Sequence, residues 1–193
     1  TDNFNYNTKK NITFGFLGSL NAAYDFDKII IFFKRILKLN KQAKILFFLE
    51  DKDNYILNKL TSYKLDAKTF EIRFVEKNRL VEYISKVDFA LFFLKNHISV
   101  KASFPTKIGE FLSLGIPIVT NEFNKDITEI IDNNKIGIKI KVDNYSIDLI
   151  YKELQGFLKN QEIKNNCRNY AINNLSHELG ARKYLDIYNS INS

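Results

Sequence analysis

The 193-residue sequence holds no methionine and no tryptophan, 1 cysteine, 2 histidines and only 2 prolines. With Cys167 alone, no internal disulfide can form, and the chain suits a reducing compartment. Cys167 sits in a helical pattern and reads as a small buried or half-buried residue. His97 and His177 are far apart and lack carboxylate or thiol companions at ligand spacing, so no metal site is expected. No Ser/His/Asp or Cys/His arrangement stands out as a nucleophilic centre. The apolar runs at 29–33 and 45–49 fall far short of the ~18 residues that a membrane span requires, and no signal peptide is visible. The sequence opens on Thr1, and with no methionine anywhere this predicts a fragment of a longer product.

What is present is an ordinary globular composition, 45% hydrophobic and 26% charged, with 17 Phe and 10 Tyr. The formal net charge is +7. The lysines that produce it (Lys9, Lys34, Lys44, Lys59, Lys68 and Lys86 among them) are scattered, without an arginine-rich stripe, so nucleic acid is not an expected partner.

Strand-like and helix-like segments alternate along the chain. Residues 12–17, 44–49, 70–75, 87–94, 116–120 and 137–142 read as strands. The run at 44–49 is continuously apolar, as suits a strand buried on both faces, whereas 70–75 alternates apolar and charged residues. Helical spacing marks 27–39, 53–63, 79–86, 106–114, 127–133, 146–159, 163–175 and 177–191, with a polar loop at 95–104. Alternation of this kind predicts parallel strands joined by right-handed crossovers. The expected fold is α/β: a single doubly wound, Rossmann-like parallel sheet of about six strands, with helices on both faces and a helical C-terminal tail. One domain is expected over residues 1–193, with 160–193 as its tail. Ligands of such sheets bind at the carboxyl ends of the strands, near a switch in strand order. The loops at 18–27, after Val75 and at 95–105 are predicted to meet there.

The most informative segment runs from Ser103 to Thr120. Pro105 suits a helix start, where its missing N–H costs nothing, and Ser103 is placed to cap that helix. Thr106 and Lys107 offer backbone amides, a hydroxyl and an ammonium to an anion. Glu110, one turn on, can accept hydrogen bonds from sugar hydroxyls. A carboxylate so near the apolar junction 112–119 is expected to need partners, which ribose hydroxyls or a neighbouring lysine would supply. Taken alone, the segment also fits an ordinary capped helix. Gly15-x-x-Gly18-Ser19 follows the first strand and either admits backbone to a diphosphate or makes a simple tight turn. Asp88 is expected to hold structure, by capping or bonding to a nearby loop.

These residues resemble the C-terminal domain of GT-B glycosyltransferases, closest to the retaining family 4. The resemblance rests on Phe16-Leu-Gly-Ser-Leu20, on Val87-Asp-Phe-Ala-Leu91 and on Ser103-x-Pro-Thr-Lys107-x-x-Glu110-x-Leu-x-x-Gly115-x-Pro-Ile-Val119. The closing helix with Lys183-Tyr-Leu-Asp-Ile-Tyr188 is also similar to the family's C-terminal ending. It implies a nucleotide-sugar donor held by this domain, with Glu110 on the ribose. Ser103, Pro105, Thr106 and Lys107 would lie with Gly18 and Ser19 by the diphosphate, and backbone near Val75 at the base. No catalytic residue is assigned. Transfer with retention, no cofactor and no metal are implied. So are a saccharide or lipid-linked acceptor bound through an N-terminal half absent here, an inactive fragment, and a cytoplasmic protein with peripheral membrane contact in its full-length form. The sequence departs from the family pattern at Ala102, where a glutamate is usual, and at Ser19, where an arginine is frequent. A non-catalytic nucleotide-binding or protein-interaction module, or half of a GT-B-type nucleotide-sugar epimerase, are the alternatives.

Overall fold

The computed structural model describes residues 11–18, 23–49, 54–101, 105–141 and 144–191. Six strands, β1 (Thr13–Leu17), β2 (Lys44–Leu49), β3 (Phe70–Phe74), β4 (Phe89–Phe92), β5 (Ile118–Asn121) and β6 (Gly137–Ile140), form one parallel sheet ordered β3-β2-β1-β4-β5-β6. Strand order reverses between β1 and β4. The helices around it are α1 (Phe26–Leu39), α2 (Asn54–Ser62), α3 (Leu80–Ile84), α4 (Ile98–Lys101), α5 (Lys107–Ser113), α6 (Lys125–Asn134), α7 (Ile147–Lys159), α8 (Gln161–Leu175) and α9 (His177–Ile191). The expected doubly wound sheet with a helical tail is therefore the observed fold.

The core is built from phenylalanine and branched aliphatics. Phe14 of β1 meets Phe32 of α1 edge-on at 5.8 Å, and Phe89 of β4 lies 6.5 Å from Phe157 of α7. On the opposite face Phe92 of β4 meets Phe111 of α5 at 5.7 Å. Edge-to-face rings at these distances add to the burial of apolar area. α8 covers α5 with Ile163, Cys167 and Ala171 buried. α9 buries none of its residues, and Tyr184, Leu185, Tyr188 and Ile191 stand exposed on it.

Burial explains the strand patterns. β2, β4 and β5 are flanked on both sides and are apolar almost throughout, whereas edge strand β3 is only partly covered and alternates. The seam between the two halves of the sheet is short: β1 and β4 register only as Phe14↔Phe89 and Gly15↔Ala90. At its lower end the Thr13 N–H donates to the Asp88 carboxylate at 2.9 Å, which gives Asp88 the structural task expected of it.

Three segments differ from expectation. The apolar run 87–94 is in register only over Phe89–Phe92, because Phe93 and Leu94 stay buried while leaving the ladder. The polar loop 95–104 contains the short helix α4, which buries Val100. The helix expected over 79–86 is a 3-10 turn, Lys77–Arg79, followed by the five-residue α3.

α1 starts at Asp25, whose side chain accepts from the Lys28 N–H. Asp27 in its first turn accepts from the Lys59 ammonium at 2.7 Å and the Tyr63 hydroxyl at 2.9 Å, tying α1 to α2. The Lys59 hydrogen bond holds the Asp27 carboxyl below its ordinary range. A lowered carboxylate pKa gives stability that is full above the unfolded value and is lost as pH falls through the folded one. Asp27 is half exposed, so the contribution is screened and about 0.5 kcal/mol or less. Asp27→Asn should lower the melting temperature near neutral pH, and the difference from the parent should close below about pH 4; thermal melts across that range check it. Burial pushes the Cys167 thiol up to about 12. A thiol reagent should then modify the native protein no faster than it unfolds, read as a labelling rate against denaturant.

Candidate functional site at the carboxyl edge of the sheet

Parallel strands leave the sheet at one edge, and helices that follow them begin there. Gly18 follows β1 and Val75 follows β3 at that edge. α5, the crossover from β4 to β5, opens beside it with Thr106 and Lys107. The topology thus brings Gly18, Val75, Thr106 and Lys107 to the same rim. Ser19 and Ser103, like Ala102, lie outside the described residues.

α5 begins tightly. The Ile108 N–H donates to the Pro105 carbonyl at 3.0 Å and the Gly109 N–H to that of Thr106 at 3.1 Å. Pro105 stands just ahead of the helix, and Thr106, in helical backbone conformation, makes no side-chain cap. The helix buries Ile108, Phe111 and Leu112 against the sheet. Glu110 lies on the other side and is exposed. This corrects the expectation that burial forces a partner on Glu110: the carboxylate faces solvent and is available to a ligand hydroxyl without desolvation driving it. Lys107, three residues earlier on the helix, is half-buried. Residues three apart are neighbours on a helix surface.

The far end of α5 explains the Gly-x-Pro part of the motif. Gly115, at φ +77°, donates its N–H to the Leu112 carbonyl at 2.9 Å, and Ile116 donates to that of Phe111 at 3.0 Å. This pair of bonds closes the helix with a left-handed residue that glycine adopts at least cost. Pro117 follows, where no donor is needed, and its carbonyl accepts from Ala90 at 3.0 Å.

The two glycines of the first strand separate in role. A Cβ on Gly15 would fall 2.8 Å from Val87 and 3.2 Å from Phe111, so Gly15 is demanded by packing inside the sheet and faces no ligand. Gly18 is at the rim, at φ +155°, with its N–H on the Phe48 carbonyl at 3.3 Å and the Tyr24 ring 3.1 Å from where a Cβ would sit. Val75 spends its N–H on the Leu49 carbonyl at 3.3 Å, so its carbonyl is the group it can turn toward a base.

Three buried polar residues, Thr120, Asn121 and Asn124, organise this rim and were not foreseen from the sequence. The Thr120 hydroxyl donates to the Phe92 carbonyl at 2.5 Å. Asn121 accepts from the Leu94 N–H at 2.9 Å and donates to the Leu94 carbonyl at 2.7 Å. Asn124 caps α6 through the Ile127 N–H and donates to the Val100 carbonyl at 3.3 Å. The signal available in the sequence was a Thr-Asn pair closing an apolar strand, with a second Asn three residues ahead of Ile127.

Elsewhere, a cavity of about 450 Å³ is lined by Lys86, Asp88, Lys164 and Arg168 among others. It lies at the amino ends of β4 and β5, away from the rim. Among the described residues no group of three His, Cys, Asp or Glu side chains is placed to hold a metal ion, and no helix is long and apolar enough to cross a membrane.

Similarity to known proteins agrees with this architecture. Sucrose-phosphate synthase from Thermosynechococcus elongatus superposes with a TM-score of 0.72 at 11% identity, over 94% of this chain and 45% of that one. A mutant of S. aureus TarM in complex with fondaparinux, alpha-GlcNAc-glycerol and UDP gives 0.67 at 14% identity, over 94% and 37%. The pneumococcal O-GlcNAc transferase GtfA in complex with UDP and GlcNAc gives 0.66 at 11% identity, over 94% and 36%. The chain therefore spans less than half the length of each of these. No curated protein matches its sequence. The model of the family described as "Glycosyl transferases group 1" matches residues 2–174, and the chain belongs to that family.

Proposed function

We propose that this chain is the donor-binding part of a glycosyltransferase that takes sugar from a nucleotide-sugar and transfers it with retention, in the manner of family 4. The observation that carries the reading is the placement of Lys107 and exposed Glu110 one helical turn apart on α5, at the rim where β1 and β4 part. The Lys107 ammonium would take the diphosphate, with Gly18 and Ser19 opposite and Ser103, Pro105 and Thr106 shaping the helix start. Glu110 would accept from the ribose hydroxyls, and the Val75 carbonyl would face the base. UDP in the two transferase complexes supports a nucleotide donor.

Chemically, such a rim works without a resident cofactor or metal. Cleaving the bond from sugar to phosphate leaves negative charge on the diphosphate, and a cation stabilises that charge as it develops. No residue of the chain is assigned as a catalytic acid or base. The acceptor, a saccharide or a lipid-linked one, would be met by an N-terminal half outside this chain. Transfer by the present chain alone is not expected, and peripheral membrane contact belongs to that longer, cytoplasmic protein.

A second reading, a non-catalytic nucleotide-binding or protein-interaction module, is favoured by Ala102 and Ser19, which remove a carboxylate and a cation usual in the family. A thermal-shift panel of UDP, GDP and ADP and their sugar conjugates tests both. Ligand at a hundredfold its dissociation constant adds about 2.7 kcal/mol of stability. Silence across the panel would remove the donor reading. Glu110→Ala and Lys107→Ala should each weaken the stabilising nucleotide-sugar by about tenfold, as expected for a charged hydrogen-bond partner. Glu110→Ala, at an exposed position, should leave stability within about 0.5 kcal/mol of the parent, as is usual away from the core. Calorimetry with melts of each variant separates the two effects, and unchanged affinity in either removes that residue from the site.

A further inference from the structure

The chain leaving β4 is gripped from both sides. On one side Asn121, 2% exposed, places its carboxamide against Leu94, accepting from the N–H and donating to the carbonyl. On the other side the chain returning from β1 lies antiparallel to it, with Tyr24 bridged to Leu94. There the Lys95 N–H donates to the Ala23 carbonyl at 2.9 Å and the Asp25 N–H to the Phe93 carbonyl at 2.8 Å. The Tyr24 ring packs 5.1 Å from Phe16 and 6.3 Å from Phe92, one on β1 and the other on β4. Residues 93–95 therefore form a bridge over the place where strand order reverses, with the Asn121 side chain as its outer support among the described residues.

A carboxamide that pairs with both backbone groups of a single residue does the work of another strand. The β4–β5 ladder ends at Phe92↔Thr120, and one residue on, the Asn121 side chain supplies the missing donor and acceptor. Without it two backbone groups beside a buried Leu94 lose their partners, which costs the desolvation of each.

From this geometry we propose that Asn121 is a positioning residue: its clasp on Leu94 holds the exits of β1 and β4 as one unit, and so sets the place of Gly18, which lies against the Tyr24 ring, on one side and of α4, which precedes Lys107 in the chain, on the other. Its consequence for ligand rests on the donor-site reading above; the coupling of the two exits does not.

The test uses the 193-residue chain. In Asn121→Ala, hydrogen exchange at Leu94, Lys95 and Asp25 should accelerate together by about tenfold or more, while amides inside β2 stay protected. Asn121→Asp keeps the acceptor for the Leu94 N–H but presents an oxygen to the Leu94 carbonyl, and should loosen the same three amides. Acceleration at Leu94 alone, or at none of the three, overturns the coupling. Should neither variant fold, the parent decides, since one unit requires a common opening free energy for Leu94, Lys95 and Asp25, and unequal values overturn it. UDP affinity, measured well below the melting temperature, should fall about tenfold in the variants; unchanged affinity with loosened amides would confine Asn121 to structure and overturn its positioning role. If the parent binds none of UDP, GDP or ADP, the donor reading fails by itself and the exchange pattern still decides the clasp.

Discussion

Burying both faces of a parallel sheet leaves polar groups almost nowhere to go except the strand ends. The strands here obey that constraint closely: β4 is Phe-Ala-Leu-Phe and fully buried, and β5 runs Ile-Val before Thr120 and Asn121. Backbone groups in such strands must find partners in the ladder or, where the ladder stops, in side chains. How that requirement is met past the strand ends helps to place the described rim residues. α5 meets it with a tight first turn at Pro105 and Thr106 and a glycine closure at Gly115. Asn121 meets it with a carboxamide.

Two uses of glycine follow from the same packing. At Gly15 the sheet brings β1 so near Val87 and Phe111 that no side chain fits, and this close approach lets α5 settle over the seam. At Gly18 and Gly115 the backbone conformation itself is the reason. With no methionine or tryptophan, rigid phenylalanine rings fill the interior, and flexible thioethers play no part in closing gaps.

How much of this could be read from residues alone depended on whether the signal was local. The continuous apolar run of β2 and the alternation of β3 state their burial directly, and both strands appear where the pattern puts them. The helix expected over 146–159 likewise appears, as Ile147–Lys159 with Ser146 as its cap. Glu110 was misjudged because closeness in sequence to an apolar junction does not tell which side of a helix a residue takes. Phe93 and Leu94 were misread as strand because an apolar run reports burial and not pairing. The Asn121 clasp was invisible for a different reason: its partner is backbone 27 residues away, and backbone leaves no trace in composition.

The short register between β1 and β4 has a mechanical meaning. β1 and β2 align over five successive residues and so do β2 and β3, while β1 and β4 share only Phe14↔Phe89 and Gly15↔Ala90. The two trios of strands are therefore joined in the middle less by ladder than by what flanks it, the Thr13–Asp88 bonds below and the Tyr24–Leu94 crossing above.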